Sequence, residues 1–222
     1  VAALAEVGHP QFERPFGISV PASYALVAQR YLHETGATSA QLAAIAVEAR
    51  RHAGRHPKAQ QRTPITVEQV LASKPIATPL RLLDCCLISD GGAAVVVSAR
   101  DAARDTRGRP VEILGAGQGH THEHIVAAPS LTDFGCKASS AAAFGRAGAR
   151  AADIDVAEIY DSFPITLAVE LESIGFFERG EAGAAAARGD LGLGGRLPCN
   201  THGGLMSYGH SGAAGGMFHA VE

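Results

Sequence analysis

The sequence has few cysteines, no marked excess of one charge and no long apolar run. Its four cysteines lack the paired spacing of a disulfide framework or a zinc site. A formal net charge of -3 gives no basic field for nucleic acid. No apolar run approaches the roughly 20 residues that a membrane-spanning helix needs. We therefore predict a cytoplasmic protein with no metal site, no nucleic-acid partner and no membrane span.

Composition and the two ends of the sequence limit the possible domain organisation of the chain. A chain of 222 residues with 46% apolar and 18% charged residues is ordinary for a globular protein with one large core or two modest ones. It begins at Val1 without an initiator methionine or a signal-like segment, and it stops at Glu222 within a stretch typical of a helix. These ends predict a fragment of a longer protein.

Hydrophobic periodicity and capping signals predict five helices. Thr38 with Gln41, and Thr66 with Gln69, form the capping-box pattern that starts a helix. The stretch 178–195 is rich in glycine and alanine and has little periodicity, so we expect a mobile surface excursion there. The predicted helices cover residues 22–34, 39–53, 67–72, 137–149 and 164–174.

Short apolar runs predict strands that are buried on both faces. The runs at 111–116 and 156–160 alternate with predicted helices, which is typical of a parallel α/β sheet. The predicted strands cover residues 82–88, 93–97, 111–116 and 156–160.

A glycine-rich stretch around His210 is the strongest candidate for a functional site. Glycines flank Tyr208 and His210, so the backbone can approach a ligand closely and turn sharply. Small residues from Ser211 onward suit the start of a helix packed on a sheet. An imidazole at such a turn can move a proton or donate to an oxygen that gains charge. The alternative is a glycine-rich connection with an incidental histidine.

A second candidate stretch runs from Glu158 to Pro164. Asp161 or Ser162 is expected to cap a helix whose first residue is Pro164. Tyr160 then lies where a buried strand hands over to a helix, which is the edge where open parallel sheets bind ligands. The alternative is a core tyrosine whose hydroxyl is satisfied internally.

Three other groups have weaker functional signals. Basic residues from Arg50 to Lys58 suit the C-terminal end of a helix, and the alternative is contact with phosphates of a ligand. The adjacent Cys85 and Cys86 lie in an apolar run without a neighbouring base, which disfavours a nucleophile. The alternating histidines of 120–124 lack further ligands and a metalloprotease register, which favours a polar loop.

The order of these motifs resembles the thiolase superfamily. Asn200, Gly203-Gly204 and Gly209-His210, followed by small residues, resemble its histidine motif. The stretches 9–17, 84–94 and 158–163 resemble the sterol-carrier or lipid-transfer branch of that superfamily. The resemblance is collinear over essentially the whole chain. The histidine motif departs from the family pattern at three points, because Ser211 replaces the usual proline, Ala213 replaces a usual glycine, and Tyr208 directly precedes Gly209-His210.

The resemblance implies an α/β fold of the thiolase type, with layered α/β/α core domains. Residues 1–78 would form the loop domain, 79–106 the strands that return to the first core domain, and 107–222 most of the second core domain. Family members have a further N-terminal half that carries a nucleophilic cysteine. We expect the 222-residue chain to be inactive by itself for that reason.

The resemblance also implies an enzyme that makes or breaks carbon–carbon bonds in acyl-coenzyme A thioesters. No permanently bound cofactor is expected, and coenzyme A enters as part of the substrate. A homodimer is implied. Ordinary thiolases have asparagine at the position of Tyr160, so the phenol is a departure. The implied catalytic residues are His210, Tyr160 and Tyr208, and the implied substrate-binding residues are Asn200, Gly203, Gly204, Gly209, Arg50 and Lys58.

Two alternatives stay open at this point. Some superfamily members are steroid side-chain aldolases that split a 3-hydroxyacyl-coenzyme A and work with a small OB-fold partner subunit. That reaction needs a base and groups that hold an enolate, which Tyr160 and Tyr208 could supply. The other alternative is a binding subunit that has lost the chemistry.

One distance follows from the predicted sheet. If Tyr160 and His210 lie at the ends of neighbouring strands, which are spaced roughly 5 Å apart, their side chains should face one cleft within about 10 Å of each other.

Overall fold

The computed structural model of the chain describes residues 7–105, 108 and 110–222. Two long helices, α1 (Val20–Thr35) and α2 (Ser39–Ala53), are followed by the short α3 (Val67–Ala72). Both predicted capping boxes are present before α2 and α3. The glycines after α1 and α2 cap those helices with their backbone N–H groups. These three helix predictions are therefore confirmed to within about two residues.

Five further helices follow in the second half of the chain. The helices α4 and α5 match their predicted ranges closely. Asp161 and Ser162 do not cap α5, because its N-cap is Phe163 and Asp161 accepts a hydrogen bond from the Leu205 N–H instead. The helices are α4 (Cys136–Ala147), α5 (Pro164–Ile174), α6 (Ala182–Arg188), α7 (Gly204–Ser207) and α8 (Gly215–Val221).

Helix α2 is the centre of the packing, since α3, α5, α6 and α7 all contact it. Leu42 and Ile45 of α2 and Ile165 of α5 belong to one buried cluster. The expected mobile excursion at 178–195 is wrong, because α6 forms there and buries its alanines against α2. Alanine side chains are small enough for two helix backbones to approach closely, so burial does not require a strongly periodic pattern.

The predicted strands are mostly wrong. Among the described residues, the structure pairs only β1 (Pro75–Ala77) with β2 (Leu80–Arg81), in an antiparallel hairpin. Residues 82–84 form a 3-10 turn, and residues 156–160 contribute one isolated parallel bridge, between Ala157 and Cys199. The runs 93–97 and 111–116 have no strand partner in the described part of the chain.

The reason for this failure is physical. A strand is stable when its backbone N–H and C=O groups pair with a neighbour. Val96 is 96% exposed and Val111 is 94% exposed, so neither valine packs against an apolar layer. Their composition favours a strand, but pairing depends on a partner that composition does not supply.

Candidate functional site

The two candidate stretches lie side by side because Asn200 ties them together. The Asn200 N–H donates to the Ala157 carbonyl at 2.9 Å. Its side-chain Oδ1 accepts from the Ile159 N–H, and its Nδ2 donates to the Ile159 carbonyl, each at 2.8 Å. Asn200 has φ of 52°, a left-handed conformation that asparagine tolerates better than most residues. The segment before Tyr160 is therefore fixed against the segment that leads to His210.

Tyr160 and His210 are in direct contact. Tyr160 Oη and His210 Nε2 share a hydrogen bond of 2.9 Å, whose direction depends on the histidine tautomer. The two rings meet edge-on with centroids 5.9 Å apart. The predicted proximity of these side chains is confirmed, although a single parallel bridge rather than a sheet brings them together.

Ser89 fixes the backbone of His210 from a third segment. The His210 N–H donates to Ser89 Oγ at 3.0 Å, and the Ser89 N–H donates to the His210 carbonyl at 2.9 Å. Gln60 Oε1 accepts from the Ser89 hydroxyl at 2.7 Å. Sequence reasoning did not single out Ser89 as a site residue, although it lies in the turn 89–92 that separates two apolar runs.

Burial keeps both members of this pair uncharged near neutral pH. It raises the pKa of Tyr160 to about 12, with a further contribution from the Tyr24 phenol and nearby acidic groups. Burial also lowers the pKa of His210 below its ordinary value, and the His219 charge acts in the same direction. The resting site is therefore a phenol hydrogen-bonded to a neutral imidazole.

Tyr208 belongs to a separate group of rings. Its ring contacts His56, His202 and Phe218 edge-on, at centroid distances of 5.0, 4.9 and 5.6 Å. Within the described part of the chain, none of the hydrogen bonds involves its hydroxyl. The structure thus pairs Tyr160 with His210, while Tyr208 packs on His56 and His202.

The backbone conformation explains why positions 203 and 204 are glycines. Their φ angles are 108° and 60°, which favour glycine. A Cβ on Gly204 would lie 1.9 Å from Asp161 Oδ2, and one on Gly203 would lie 2.5 Å from the Ala53 Cβ. Both glycines are buried, and their predicted contact with substrate stays a prediction.

The remaining predicted binding residues are spread between core and surface. Arg50 is buried and donates to Ser207 Oγ at 3.0 Å and to the Thr63 carbonyl at 3.2 Å. Lys58 is exposed in the loop after α2. Gly209 approaches Ser89, since a Cβ on it would lie 3.2 Å from the Ser89 Oγ. Whether any of them contacts coenzyme A stays a prediction.

A cavity of about 390 Å³ opens next to Tyr160. Tyr24, Phe134 and several aliphatic side chains line it, together with the ionisable side chains of Glu13, Glu123, His124 and Glu170. Burial, and then the Asp161 charge, raise the pKa of Glu170 to about 8, so this carboxyl is mostly protonated at neutral pH. The cavity offers a partly apolar volume beside the phenol.

The cysteines in the described part of the chain have no lowered thiol pKa. Burial raises the pKa of Cys85 to about 12 and that of Cys86 and Cys136 to about 11. Burial raises the pKa of Cys199 as well. A raised thiol pKa leaves little thiolate, so none of these cysteines is suited to act as a nucleophile.

Sequence reasoning missed a cluster formed by Glu158, His202 and His219. Glu158 Oε2 lies 3.1 Å from His202 Nδ1 and 3.3 Å from His219 Nδ1. Burial opposes the ionisation of Glu158, but the two imidazoles and the Thr201 N–H outweigh it and hold the pKa of Glu158 at about 2. The cluster combines residues far apart in the sequence, so only the fold reveals it.

Residues 117–222 match the family model described as "Thiolase C-terminal domain-like". The chain is 40% identical over 217 residues to the steroid side-chain-cleaving aldolase of Thermomonospora curvata, covering 94% of this chain and 55% of that protein. It is 36% identical to an acetyl-CoA acetyltransferase of Methanothermobacter thermautotrophicus, covering 99% of this chain and 58% of that protein.

Two of the solved structures that superpose on the chain are an aldolase and a thiolase. One, "Ltp2-ChsH2(DUF35) aldolase", matches with a TM-score of 0.87 at 40% identity, covering 93% of this chain and 56% of that one. The other, human mitochondrial 3-ketoacyl-CoA thiolase, has a TM-score of 0.67 at 15% identity, covering 99% and 55%. The chain thus spans about half the length of the curated relatives it matches. None of the described helices is long and apolar enough to cross a membrane.

Proposed function

Because the chain belongs to the thiolase superfamily, we propose that it is part of an enzyme that cleaves or forms a carbon–carbon bond in an acyl-coenzyme A thioester. Among such reactions, retro-aldol cleavage of a 3-hydroxyacyl-coenzyme A fits this site best. The observation that carries this choice is the 2.9 Å hydrogen bond between the Tyr160 hydroxyl and His210 Nε2.

The cleavage requires one proton to leave the substrate hydroxyl on C3. The Tyr160 oxygen can accept that proton while its own proton passes to the neutral Nε2 of His210. This coupled transfer avoids a free phenolate, which the raised pKa of Tyr160 disfavours.

The remaining bond changes take place within the substrate. The C3–O bond becomes a carbonyl, the C2–C3 bond breaks, and its electron pair moves into the thioester as an enolate. Protonation at C2 then gives the shorter acyl-coenzyme A. The proton that His210 has taken up balances the proton added at C2.

The substrate is an acyl-coenzyme A whose acyl group is large and apolar. The cavity of about 390 Å³ beside Tyr160 has the size and the mostly apolar lining of a small-molecule site. The relative from Thermomonospora curvata is named for cleavage of a steroid side chain, which agrees with such a group. We extend the proposal to a small partner subunit, since one superposed aldolase is solved as a complex with a DUF35 protein.

Thiolysis of a 3-oxoacyl-coenzyme A is the second candidate. The archaeal relative named as an acetyl-CoA acetyltransferase supports it. In that reaction a cysteine would attack the 3-oxoacyl chain, and His210 would accept the thiol proton and stabilise the oxyanion. Such a cysteine would have to come from outside the described residues, whose cysteines have raised thiol pKa values.

Product identification separates the two candidates. The full-length protein, with its partner if one copurifies, is given a 3-hydroxyacyl and a 3-oxoacyl thioester in parallel, with free coenzyme A. Mass spectrometry should detect a ketone or aldehyde and a shorter acyl-coenzyme A from the first substrate only. Two acyl-coenzyme A products from the 3-oxoacyl substrate would establish thiolysis, and turnover of neither would favour a binding subunit.

A further inference from the structure

Three side chains that the proposed reaction does not use converge next to the ring of Tyr208. Glu158 precedes Tyr160 in the first candidate stretch, His202 follows Asn200, and His219 lies in α8. One ligand atom from each lies within 4.8 Å of the others. Three separate segments of the chain thus bring two imidazoles and a carboxylate to one point.

Two of the three separations between these atoms are close to those of ligands to one ion. Glu158 Oε2 is 3.1 Å from His202 Nδ1 and 3.3 Å from His219 Nδ1. Zinc binds imidazole nitrogen and carboxylate oxygen at about 2.0–2.2 Å, so tetrahedral ligands lie about 3.3–3.6 Å apart. The separation of 3.3 Å lies at the lower end of that range, and the separation of 3.1 Å is slightly shorter.

The ring nitrogens of His202 have no hydrogen-bond partner among the described residues. His202 is 1% exposed, so both nitrogens are buried. Its Nδ1 is close to Glu158 Oε2 without the alignment of a hydrogen bond. A buried nitrogen without a partner is costly, and coordination would satisfy it.

Other polar groups surround the two groups that flank His202. The Thr201 N–H and hydroxyl donate to Glu158 Oε1 at 2.8 and 3.0 Å, while Oε2 faces the histidines and shares a hydrogen bond of 3.3 Å with His219 Nδ1. Asp161 Oδ1 lies 3.6 Å from His219 Nε2, on the side of the ring away from Glu158, which is too far for a hydrogen bond. A carboxylate behind a ligating histidine is a common arrangement in metal sites.

We propose that Glu158, His202 and His219 bind a divalent transition-metal ion, with zinc as the best match. Two nitrogens and one oxygen suit zinc better than magnesium or calcium, which prefer oxygen ligands. The ion joins α8 and the turn after Asn200 to the segment before Tyr160. Since the His202 ring packs on Tyr208 at 4.9 Å, the ion also fixes the surface on which Tyr208 rests.

Cobalt substitution and titration test this site. The full-length protein is stripped with a chelator, dialysed, and titrated with Co²⁺ and with Zn²⁺. We expect one equivalent of Co²⁺ per chain to give the visible absorption of a tetrahedral complex, and Zn²⁺ to displace it. His202→Gln and Glu158→Gln should each weaken binding by at least about 100-fold, since even outer-shell changes cost 10–100-fold.

His120→Ala is the matched control, because it removes an exposed histidine from the other histidine-rich segment. It should bind Co²⁺ as the wild type does. Wild-type protein that gives no tetrahedral cobalt spectrum would overturn the proposal even if the variants fail to fold. Binding that is lost in His120→Ala, or unchanged in folded His202→Gln, would overturn it as well.

Discussion

Tyr160 and His210 share one hydrogen bond, and the surroundings of each disfavour its charged form. Such a pair holds a proton that can move in either direction at little electrostatic cost, because the phenol and the imidazole start neutral. A catalytic group works best when its protonation state at the working pH is the one that the reaction needs. His210 must be neutral to accept a proton, and it is neutral in this site.

The pH dependence of turnover follows from the lowered pKa of His210. Burial, then the charge of His219, lower that pKa below the ordinary value of 6.5, so His210 becomes protonated only in more acidic solution. The acid limb of kcat/KM for the 3-hydroxyacyl substrate should therefore have its midpoint below pH 6.5. A midpoint above pH 6.5 would contradict the role of neutral His210 as the acceptor.

Removal of the Tyr160 hydroxyl tests the proton path. Tyr160→Phe keeps the ring but leaves His210 without the phenol, so turnover of the 3-hydroxyacyl substrate should fall by about 10²- to 10⁴-fold. Thioester binding should survive, which isothermal titration with a non-cleavable analogue measures. Tyr31→Phe is the control, because the Tyr31 hydroxyl is bound to Glu172 in the core.

Two further variants separate the aldol reaction from thiolysis. In an aldolase whose Tyr208 hydroxyl holds the enolate, Tyr208→Phe should also lower turnover by a large factor. In a thiolase, His210→Ala should abolish turnover and Tyr208→Phe should matter little. Full activity of both phenylalanine variants, with loss in His210→Ala, would eliminate the aldol mechanism.

At the scale of elements, the contact between the two candidate stretches depends on one side chain. The amide of Asn200 bonds both backbone groups of Ile159, as a neighbouring strand would. Asn200→Asp tolerates the same φ but places a second acceptor opposite the Ile159 carbonyl. We expect a loss of about 1–3 kcal/mol in the free energy of unfolding, measured with urea. A variant as stable as the wild type would show that the amide does not hold this contact.

Helix α5 contains a carboxyl that makes stability depend on pH. Burial raises the pKa of Glu170 to about 8 from 4.5. Above pH 4.5 the unfolded chain loses this proton while the folded chain retains it, so stability falls as pH rises until about 8. Glu170→Gln should lack this fall in melting temperature between pH 5 and 8. The exposed Glu178→Gln should behave as the wild type, and a parallel loss in all three proteins would refute the assignment.

The helices could be predicted from the sequence because their signals are local. Thr38 and Gln41 are three residues apart, and the capping box they form needs no distant partner. Strands 93–97 and 111–116 could not be judged in this way, since pairing depends on remote backbone. The proximity of Tyr160 and His210 followed from motif order, whereas the cluster of Glu158, His202 and His219 has no spacing pattern that local reasoning detects.

At the scale of the whole molecule, apolar side chains are exposed along two unpaired segments. Val96 and Val111 are almost fully exposed, and Ile113 and Leu114 lie next to Val111 in the same segment. Unpaired apolar segments of this kind promote association between molecules.

The 222-residue chain expressed alone should therefore self-associate at neutral pH, as light scattering would record. Val111→Glu should reduce the scattering because it places a charge within the apolar segment. Gln118→Glu adds the same charge at an exposed polar position and should have little effect. A monomeric wild-type chain at high concentration, or equal effects of the two variants, would contradict this account.

The contact between Gly204 and Asp161 limits which substitutions can accumulate at this site during evolution. The carboxylate occupies the space where any side chain at position 204 would begin, and the left-handed backbone there resists alanine independently. A smaller residue at position 161 would remove the clash but not the backbone strain at 204, and it would also remove the acceptor for the Leu205 N–H. A saturation library should therefore recover no side chain at position 204, whether or not Asp161 is changed as well.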